Sequence, residues 1–440
     1  MSFLTGLACI RCGAAFPVEP RFDGCPRCRR EAPSNLTPTY DYDGIRRAFR
    51  VEALRDRPPT MWRYREFLPP DEADVVTLAE GMTPLIAAPR LGSRMGVPRL
   101  HIKDESRNPT WSFKDRLAAT AIAMARRFSA RVVGVSSSGN AGAAAAAYAA
   151  RAGLPCVVFA FKGAAGAMMT QMRAYGGLVV ATVQKADRWT LLRACVEKLA
   201  WYPTSPFFGP PIGSNPYGVD GYKTMAFEVC EQLGWRPPDW CALPVAYGDA
   251  LFGMWKGFRE LADLGLVPNR PRLVAGEIYG SLQRGLMATS DVPPEMPATT
   301  PTLALSIGTP RSTYQALHAL RHGRGIARTV EDADLLHLQR MLAQDEGLYA
   351  EPSSLAPLAA VWRLRNEGII GQDDLVVTVL TAAGLKDPEP TVREAGEIPI
   401  VAPDLAVLRD ALKRAYGFDL DITARQPASP EHGSPHAERR

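Results

Sequence analysis

A chain of 440 residues exceeds one ordinary domain and leads to an expectation of about two or three. Its 46% hydrophobic and 22% charged residues are those of a globular protein with large buried cores. The formal net charge of +5 comes with scattered arginines and no basic stripe interleaved with aromatics, which argues against nucleic acid, and no apolar run reaches membrane-span length.

Residues 1–35 read as a unit of their own. Two Cys-x-x-Cys pairs, Cys9/Cys12 and Cys25/Cys28, flank a 12-residue loop and sit in the turns "CIRCG" and "CPRC". Four thiolates at that spacing form a tetrahedral donor set of the zinc-ribbon kind. Four cysteines leave no open position, which favours a structural ion over a catalytic one. A redox pair, or a knuckle that keeps its cysteines without metal, are the alternatives. The basic residues Arg11, Arg21, Arg27, Arg29 and Arg30 read as a solvated face. Cys156, Cys195, Cys230 and Cys241 are dispersed, so the eight cysteines make no secreted disulfide framework. The start "MSFLTGLACIRCG" lacks the basic flank and long apolar run of a secretory signal, and the cytoplasm is the expected compartment.

Residues 36–75 are Pro- and Arg-rich and read as irregular, with a short helix. From about residue 98 strands and helices alternate. "RLHIK", "RVVGV" (131–135), "PCVVFAF" (155–161) and "GLVVATV" (177–183) are strand-like, and "FKDRLAATAIAMARRF" and "NAGAAAAAYAARAG" are helical. A helix over 221–234, a strand over 240–245, a helix from about 249 and a strand over 271–278 follow. Helices near 312–321, 331–345 and 355–366 lead to the strand "DLVVTVL" (374–380). Such alternation of apolar strands with helices implies an α/β protein with parallel-rich sheets covered on both faces. The end, "DITARQPASPEHGSPHAERR", reads as a disordered tail.

"NPTWSFKDR" (108–116) places Lys114 at a helix start, behind Ser112 as a potential cap. Apolar neighbours and the positive end of the helix both disfavour a charged amine, and a neutral amine is what Schiff-base chemistry needs. The alternative is a surface lysine paired with Asp115. Next, Ser136, Ser137, Ser138 and Asn140 follow a strand and precede an alanine-rich helix, an anion pocket suited to a carboxylate or else a plain serine N-cap. "LPVAYGDALFG" (243–253) is again a strand turning tightly into a helix, where backbone N–H groups can hold a phosphate.

The stretches "KDESRNPTWSFKDR", "SSSGNAGAAAAAYAARAG", "GYKTMAFEVCEQLG", "FGMWKGFREL", "EGLYAEPSSLAPLA" and "VLTAAGLKDP" closely resemble the threonine synthase family. These are pyridoxal-phosphate (PLP) enzymes of the tryptophan-synthase-β fold. "EGMTPL" (80–85) and the cysteine-rich start also occur in that family, and the resemblance covers about residues 75–390. It implies a Schiff base between Lys114 and PLP, Asn140 on the cofactor's 3′-oxygen, Ser136–Ser138 on the substrate carboxylate and Thr381 on the pyridine nitrogen. A hydroxyl at that nitrogen leaves the ring largely neutral, which suits elimination and replacement better than transamination. Lys114 is then the general base. The family's phosphate cup falls on Val245, Ala246, Tyr247, Gly248, Asp249 and Ala250, poor in glycine here, with Asp249 expected to cap the following helix. The resemblance further implies a homodimer, a small amino-acid substrate, and a division into the module 1–35, a larger PLP-binding domain (36–127 and 206–419), a smaller mobile domain (128–205) and the tail 420–440.

The chain also departs from the family. Where the family commonly has a lysine for the substrate phosphate stands Met168, and where it has an arginine after Asn-Pro and a variable residue stands Gly218. Lys223 belongs to the family's own pattern, and Arg173 is expected on another helix face. Trp111 replaces a small residue and should narrow the pocket. Glu277 and Tyr279 either add an acid and a hydroxyl to the cavity or form ordinary strand-end structure. The expected activity is the family reaction, O-phospho-L-homoserine and water to L-threonine and phosphate. The alternatives are an ammonia-lyase or dehydratase acting on threonine, serine or a related β-substituted amino acid, and a non-catalytic PLP-binding homologue.

Overall fold

The computed structural model describes residues 2–162, 166–298, 301–395 and 397–420. The tail expected over 420–440 lies, from residue 421, outside the described residues. The chain divides into two compact units, Met1–Pro390 and Thr391–Arg440.

The chain opens with strands β1 (Leu4–Cys9), β2 (Ala15–Phe16) and β3 (Leu36–Tyr40), paired antiparallel in the order β2-β1-β3. The third strand lies beyond residue 35, so the sheet runs past the expected edge of the module. "LTPTY" alternates buried and half-buried side chains, and Pro38 hides that strand from a composition-based reading. Leu7, Cys9, Cys25, Cys28 and Leu36 join the same apolar cluster as Phe227, Leu243 and Phe258. The cysteine-bearing sheet is therefore built onto the main body.

Helix α1 (Tyr42–Ala48) and three short 3-10 turns fill the Pro- and Arg-rich stretch. Strand β4 (Leu85–Ala87), helix α2 (Pro89–Met95), strand β5 (Leu100–Asp104) and helix α3 (Lys114–Arg127) follow. Next come β6 (Val133–Val135), α4 (Asn140–Arg151), β7 (Cys156–Phe161), α5 (Gly166–Ala174), β8 (Leu178–Thr182), α6 (Asp187–Leu199) and β9 (Tyr202–Pro203). These four strands form a wholly parallel sheet in the order β8-β7-β6-β9.

Helices α7 (Pro216–Asp220) and α8 (Lys223–Gln232) precede β10 (Trp240–Pro244), α9 (Asp249–Asp263), β11 (Arg272–Glu277), α10 (Ser281–Met287), α11 (Tyr314–His322), β12 (Ile326–Thr329), α12 (Asp332–Glu346), α13 (Ala356–Asn366) and β13 (Val376–Leu380). The six-stranded sheet runs β12-β11-β10-β13-β5-β4, parallel except for β4, which pairs antiparallel with β5. The expected parallel-rich α/β arrangement is present. Strands β4, β9 and β12 are additional and too short to show a period. Helix α14 (Glu389–Ala395) follows; in the second unit, α15 (Leu405–Tyr416) is capped by Asp404, whose carboxylate accepts from the Ala406 and Val407 N–H groups. No helix among the described residues is long and apolar enough to cross a membrane.

Two features fix the helix that begins at Lys114. Arg116, fully buried, makes paired hydrogen bonds to Glu105 (2.7 and 2.7 Å) and to Glu228 (2.6 and 2.8 Å), and Lys103 reaches the same Glu228 at 2.7 Å. Two buried cations thus face two buried carboxylates, the paired state in which burial of charge is tolerated. The preceding turn is stitched to the end of β13: Phe113 N–H donates to the Thr381 carbonyl at 2.9 Å, and Ala383 N–H to that of Trp111 at 3.1 Å. Ser112 is not the cap. Phe113 holds that position without a side-chain bond, because Ser112 sits in a bridge with Ala382.

Candidate active site

Ligand sites in open parallel sheets lie beyond the carboxyl ends of the strands. Here the turns after β6 (Ser136–Asn140), β10 (Ala246–Ala250) and β13 (Thr381) meet Lys114 around one cavity of about 300 Å³. Lys114, Ser136, Ser137, Ser138, Asn140, Ala246, Tyr247, Gly248, Asp249, Ala250 and Thr381 all line it. Residues far apart in sequence are gathered because their strands run parallel and end on the same side.

The Lys114 amine lies 4.5 Å from the Phe113 ring centre and 5.6 Å from that of Tyr222. Burial pushes its pKa below the ordinary lysine value, while the charges of Asp249 and Glu351 pull the other way. Asp115 is not its partner. That carboxylate accepts from the N–H and hydroxyl of Thr110, so the surface ion pair is not what forms.

Ser136 donates its N–H to Ser205 Oγ at 2.8 Å, and its own hydroxyl is buried without a partner. Ser138 Oγ accepts from Phe161 N–H at 3.1 Å. No serine caps α4; Gly139 holds the N-cap position. Asn140 donates from Nδ2 to Glu351 at 3.0 Å and leaves Oδ1 buried and unpartnered. Glu351 is itself buried, which raises its pKa against the hydrogen bond from Asn140. The Thr381 hydroxyl lies 2.8 Å from that of Ser354.

In the turn after β10, Gly248 has φ +77°, and an added Cβ would sit 2.2 Å from Ala316 Cβ. Only glycine satisfies both the left-handed backbone and the close approach. Asp249 opens α9 but does not cap it. Its carboxylate accepts from Ser214 N–H (3.0 Å), Ser214 Oγ (2.6 Å) and Gln315 Nε2, tying the starts of α9 and α11 to the loop before α7. Val245 does not line the cavity: it continues β10, donates to the Gly276 carbonyl at 2.8 Å, and packs into the core.

Other expectations are corrected too. Trp111 is 52% exposed and outside the cavity lining, so it does not narrow the pocket; its backbone φ of +65° turns the side chain to the surface. Glu277 accepts from the Leu282 and Gln283 N–H groups and holds the start of α10, and neither it nor Tyr279 lines the cavity. Met168 does line it. Gly218 does not: a Cβ there would meet Leu117 Cγ at 2.9 Å, because α3 and α7 pack tightly at that point. Lys223 is buried between Asp220 (2.9 Å) and Glu260 (3.1 Å), and Arg173 is exposed.

Sequence reasoning missed Glu351, Lys185 and Arg188. Glu351 lies within the quoted "EGLYAEPSSLAPLA" and could have been assigned from it; Lys185 and Arg188 sit in "QKADRWT", which carries no pattern.

The cavity fits PLP. It offers an amine depressed by burial, unpartnered polar atoms at Asn140 Oδ1 and Ser136 Oγ, and a glycine cradle at a helix start. Apart from the cavity, the cysteine sulfurs of Cys9, Cys12, Cys25 and Cys28 all lie within 4.8 Å of one another. Cys9–Cys28 and Cys12–Cys25 are both 3.7 Å apart. Four sulfurs about 2.3 Å from a central zinc would be about 3.8 Å apart, so the donor set fits a tetrahedral ion.

Residues 76–382 match the family model of pyridoxal-phosphate dependent enzymes. The chain is 34% identical over 412 residues to threonine synthase of Methanocaldococcus jannaschii, covering 92% of this chain and 98% of that one. It is 37% identical over 356 residues to threonine synthase of Synechocystis sp., covering 79% and 89%. Among solved structures, the processed form of threonine deaminase isoform 2 from Solanum lycopersicum superposes with a TM-score of 0.60 at 17% identity, over 84% of this chain and 90% of that one; at this identity the likeness speaks for the fold. A PLP-ready cavity on this fold and curated relatives matched over most of their length make the chain a member of the threonine synthase family of PLP-dependent lyases.

Proposed function

We propose that this enzyme carries out the threonine synthase reaction, converting O-phospho-L-homoserine and water to L-threonine and phosphate. The observation that supports it is the convergence of Lys114, the 136–140 turn, the 246–250 turn and Thr381 on one cavity. PLP, when bound, supplies an electrophilic carbon for the substrate amine and an electron-withdrawing ring. Lys114 would hold its reactive carbon, Asn140 its 3′-oxygen, the backbone of Ala246–Ala250 its phosphate and Thr381 its pyridine nitrogen. Ser136, Ser137 and Ser138 bind the substrate carboxylate and orient Cα towards Lys114. The Lys114 amine, its pKa lowered by burial, takes the Cα proton and returns protons further along the side chain. Segment 128–205 is the smaller, mobile domain of this reading; its closure excludes water from the reacting carbons. Cys9, Cys12, Cys25 and Cys28 hold a structural zinc ion in the same reading.

A second reading, an ammonia-lyase or dehydratase acting on threonine or serine, is favoured by Met168 and Gly218, which supply no cation. Incubating the PLP-loaded protein with O-phospho-L-homoserine separates the two. Release of phosphate with matching threonine supports the first. Release of a 2-oxo acid from threonine or serine, with no phosphate from O-phospho-L-homoserine, sinks it and supports the second.

A further inference from the structure

Arg188 is the second residue of α6 and only 8% exposed, yet no carboxylate among the described residues pairs with it. Its Nε donates to the Lys185 carbonyl at 2.9 Å, its Nη1 lies 3.4 Å from Ser138 Oγ, and its guanidinium lies 5.4 Å from the Phe161 ring centre. The two acids of the cavity are engaged elsewhere, Asp249 with Ser214 and Gln315, Glu351 with Asn140. Lys185, exposed at the rim, adds a second cation without an acid partner. The Arg188 position is unfavourable in the free protein. A positive charge at a helix start opposes the helix dipole, and a buried cation without a counter-charge is disfavoured. Burial accordingly lowers the pKa of Arg188, and partial desolvation at the cavity mouth together with the Arg188 charge lowers that of Lys185. An oxyanion from solution satisfies all of this at once.

Three oxyanions could come here: the cofactor phosphate, the substrate's α-carboxylate, and a charged group at the far end of its side chain. Arg188 reaches Ser138, and the next residue, Gly139, faces Met168: a Cβ at Gly139 would lie 3.6 Å from Met168 Sδ, and Met168 and Arg188 both line the cavity. Trp189, next in α6, lies 6.2 Å from the Tyr247 ring. Arg188 thus stands on the cavity wall beside Ser138, close to where Met168 lines it. We propose that Arg188, with Lys185, forms an anion subsite for the distal substituent of the substrate, so that α6 supplies the positive charge absent at Met168 and Gly218. The accepted substrate then carries a phosphate-like group on its side chain. This deepens the functional reading above and rests on it for the orientation of the amino acid.

The test is calorimetric binding to the holoenzyme of two amino acids of equal chain length, L-2-amino-5-phosphonopentanoate and L-norvaline, together with PLP titration of the apoenzyme. In the wild type the phosphonate binds more tightly. In Arg188→Gln that preference falls about ten- to hundred-fold, the size of a lost charge-assisted bond, while norvaline and PLP affinities stay within about two-fold. Arg188→Lys falls less, and Lys185→Gln loses about three-fold, as its rim position implies. Equal weakening of both amino acids assigns Arg188 to the α-carboxylate and overturns the proposal. Weaker PLP binding at an unchanged ratio assigns it to the cofactor phosphate and also overturns it. Should Arg188→Gln not fold, the ratio is read in Lys185→Gln, where no change overturns the proposal. A wild type that prefers the phosphonate through Arg188 but does not turn over O-phospho-L-homoserine keeps the subsite and loses the proposed reaction.

Discussion

The four-cysteine cluster and the PLP cavity gather donors around a guest by opposite routes. The cluster draws on residues 9–28, within and beside one small antiparallel sheet, and its sulfurs stand at tetrahedral spacing. The cavity draws on residues 113–381 and exists only because parallel strands from two sheets end on the same side. The first is a local pattern with a fixed geometry. The second is a product of topology, and most of its lining has no sequence signature of its own. The two should therefore fail differently when broken.

The largest effect is expected at the cavity's reactive amine. Lys114→Ala should remove the visible absorbance band of the lysine-bound cofactor and lower turnover by at least about 10³-fold, because the other lysine that lines the cavity, Lys185, is exposed at its rim. An unchanged band would sink the assignment of Lys114. The cluster should answer in stability instead. Cys25→Ser should reduce bound zinc, measured by atomic emission, from about one ion per chain and destabilise the protein by more than about 3 kcal/mol in urea titration. Because Cys25 belongs to the same apolar cluster as Leu243 and Phe258, the loss should appear in one cooperative transition. A separate early transition with an unmoved main one would show that the module folds by itself.

Gly248→Ala makes the comparison finer. At φ +77°, with Ala316 Cβ 2.2 Å from the new methyl, it combines backbone strain with a clash and should weaken PLP binding at least about ten-fold. Gly265→Ala has a similar φ of +74° and open space around it. It should cost about 1 kcal/mol of stability and leave the PLP affinity alone. Equal PLP affinities in the two variants would remove the turn after β10 from the cofactor's binding site.

The same contrast governs what the sequence reveals. Seven strands of the two larger sheets announced themselves as apolar runs because buried parallel strands need no alternation. Strands β4, β9 and β12 were too short to do so, and β3 was hidden by its proline. Lys114, Ser136–Ser138, Asn140 and Thr381 could be named because family motifs carry them. Arg188 and Lys185 could not: their place depends on how α6 leans over β7, and "QKADRWT" holds no trace of it. Val245 and Trp111 erred in the other direction. Each sits beside a motif in sequence but faces away from the cavity, Val245 by strand geometry and Trp111 by its left-handed backbone.

Asp115 gives the smallest and most local test. It follows Lys114 directly, yet points into the turn that supports the lysine, accepting from Thr110 N–H at 2.7 Å and from the Thr110 hydroxyl. Burial pushes its pKa up to about 7, with the Thr110 bonds and the Lys386 charge pulling down and Glu80 pushing up. In the unfolded chain an aspartate titrates near about 3.9. Between those two values the native state binds more protons than the unfolded state, so stability declines as pH rises from about 4 to about 7 and the contribution levels off above. Asn at this position has no proton to lose. The melting temperature of the apoenzyme should therefore fall less between pH 5 and pH 8 in Asp115→Asn than in the wild type. Parallel pH dependences in the two proteins would mean that Asp115 is already ionised at pH 5, and the turn beneath Lys114 would then be held by a charged carboxylate throughout.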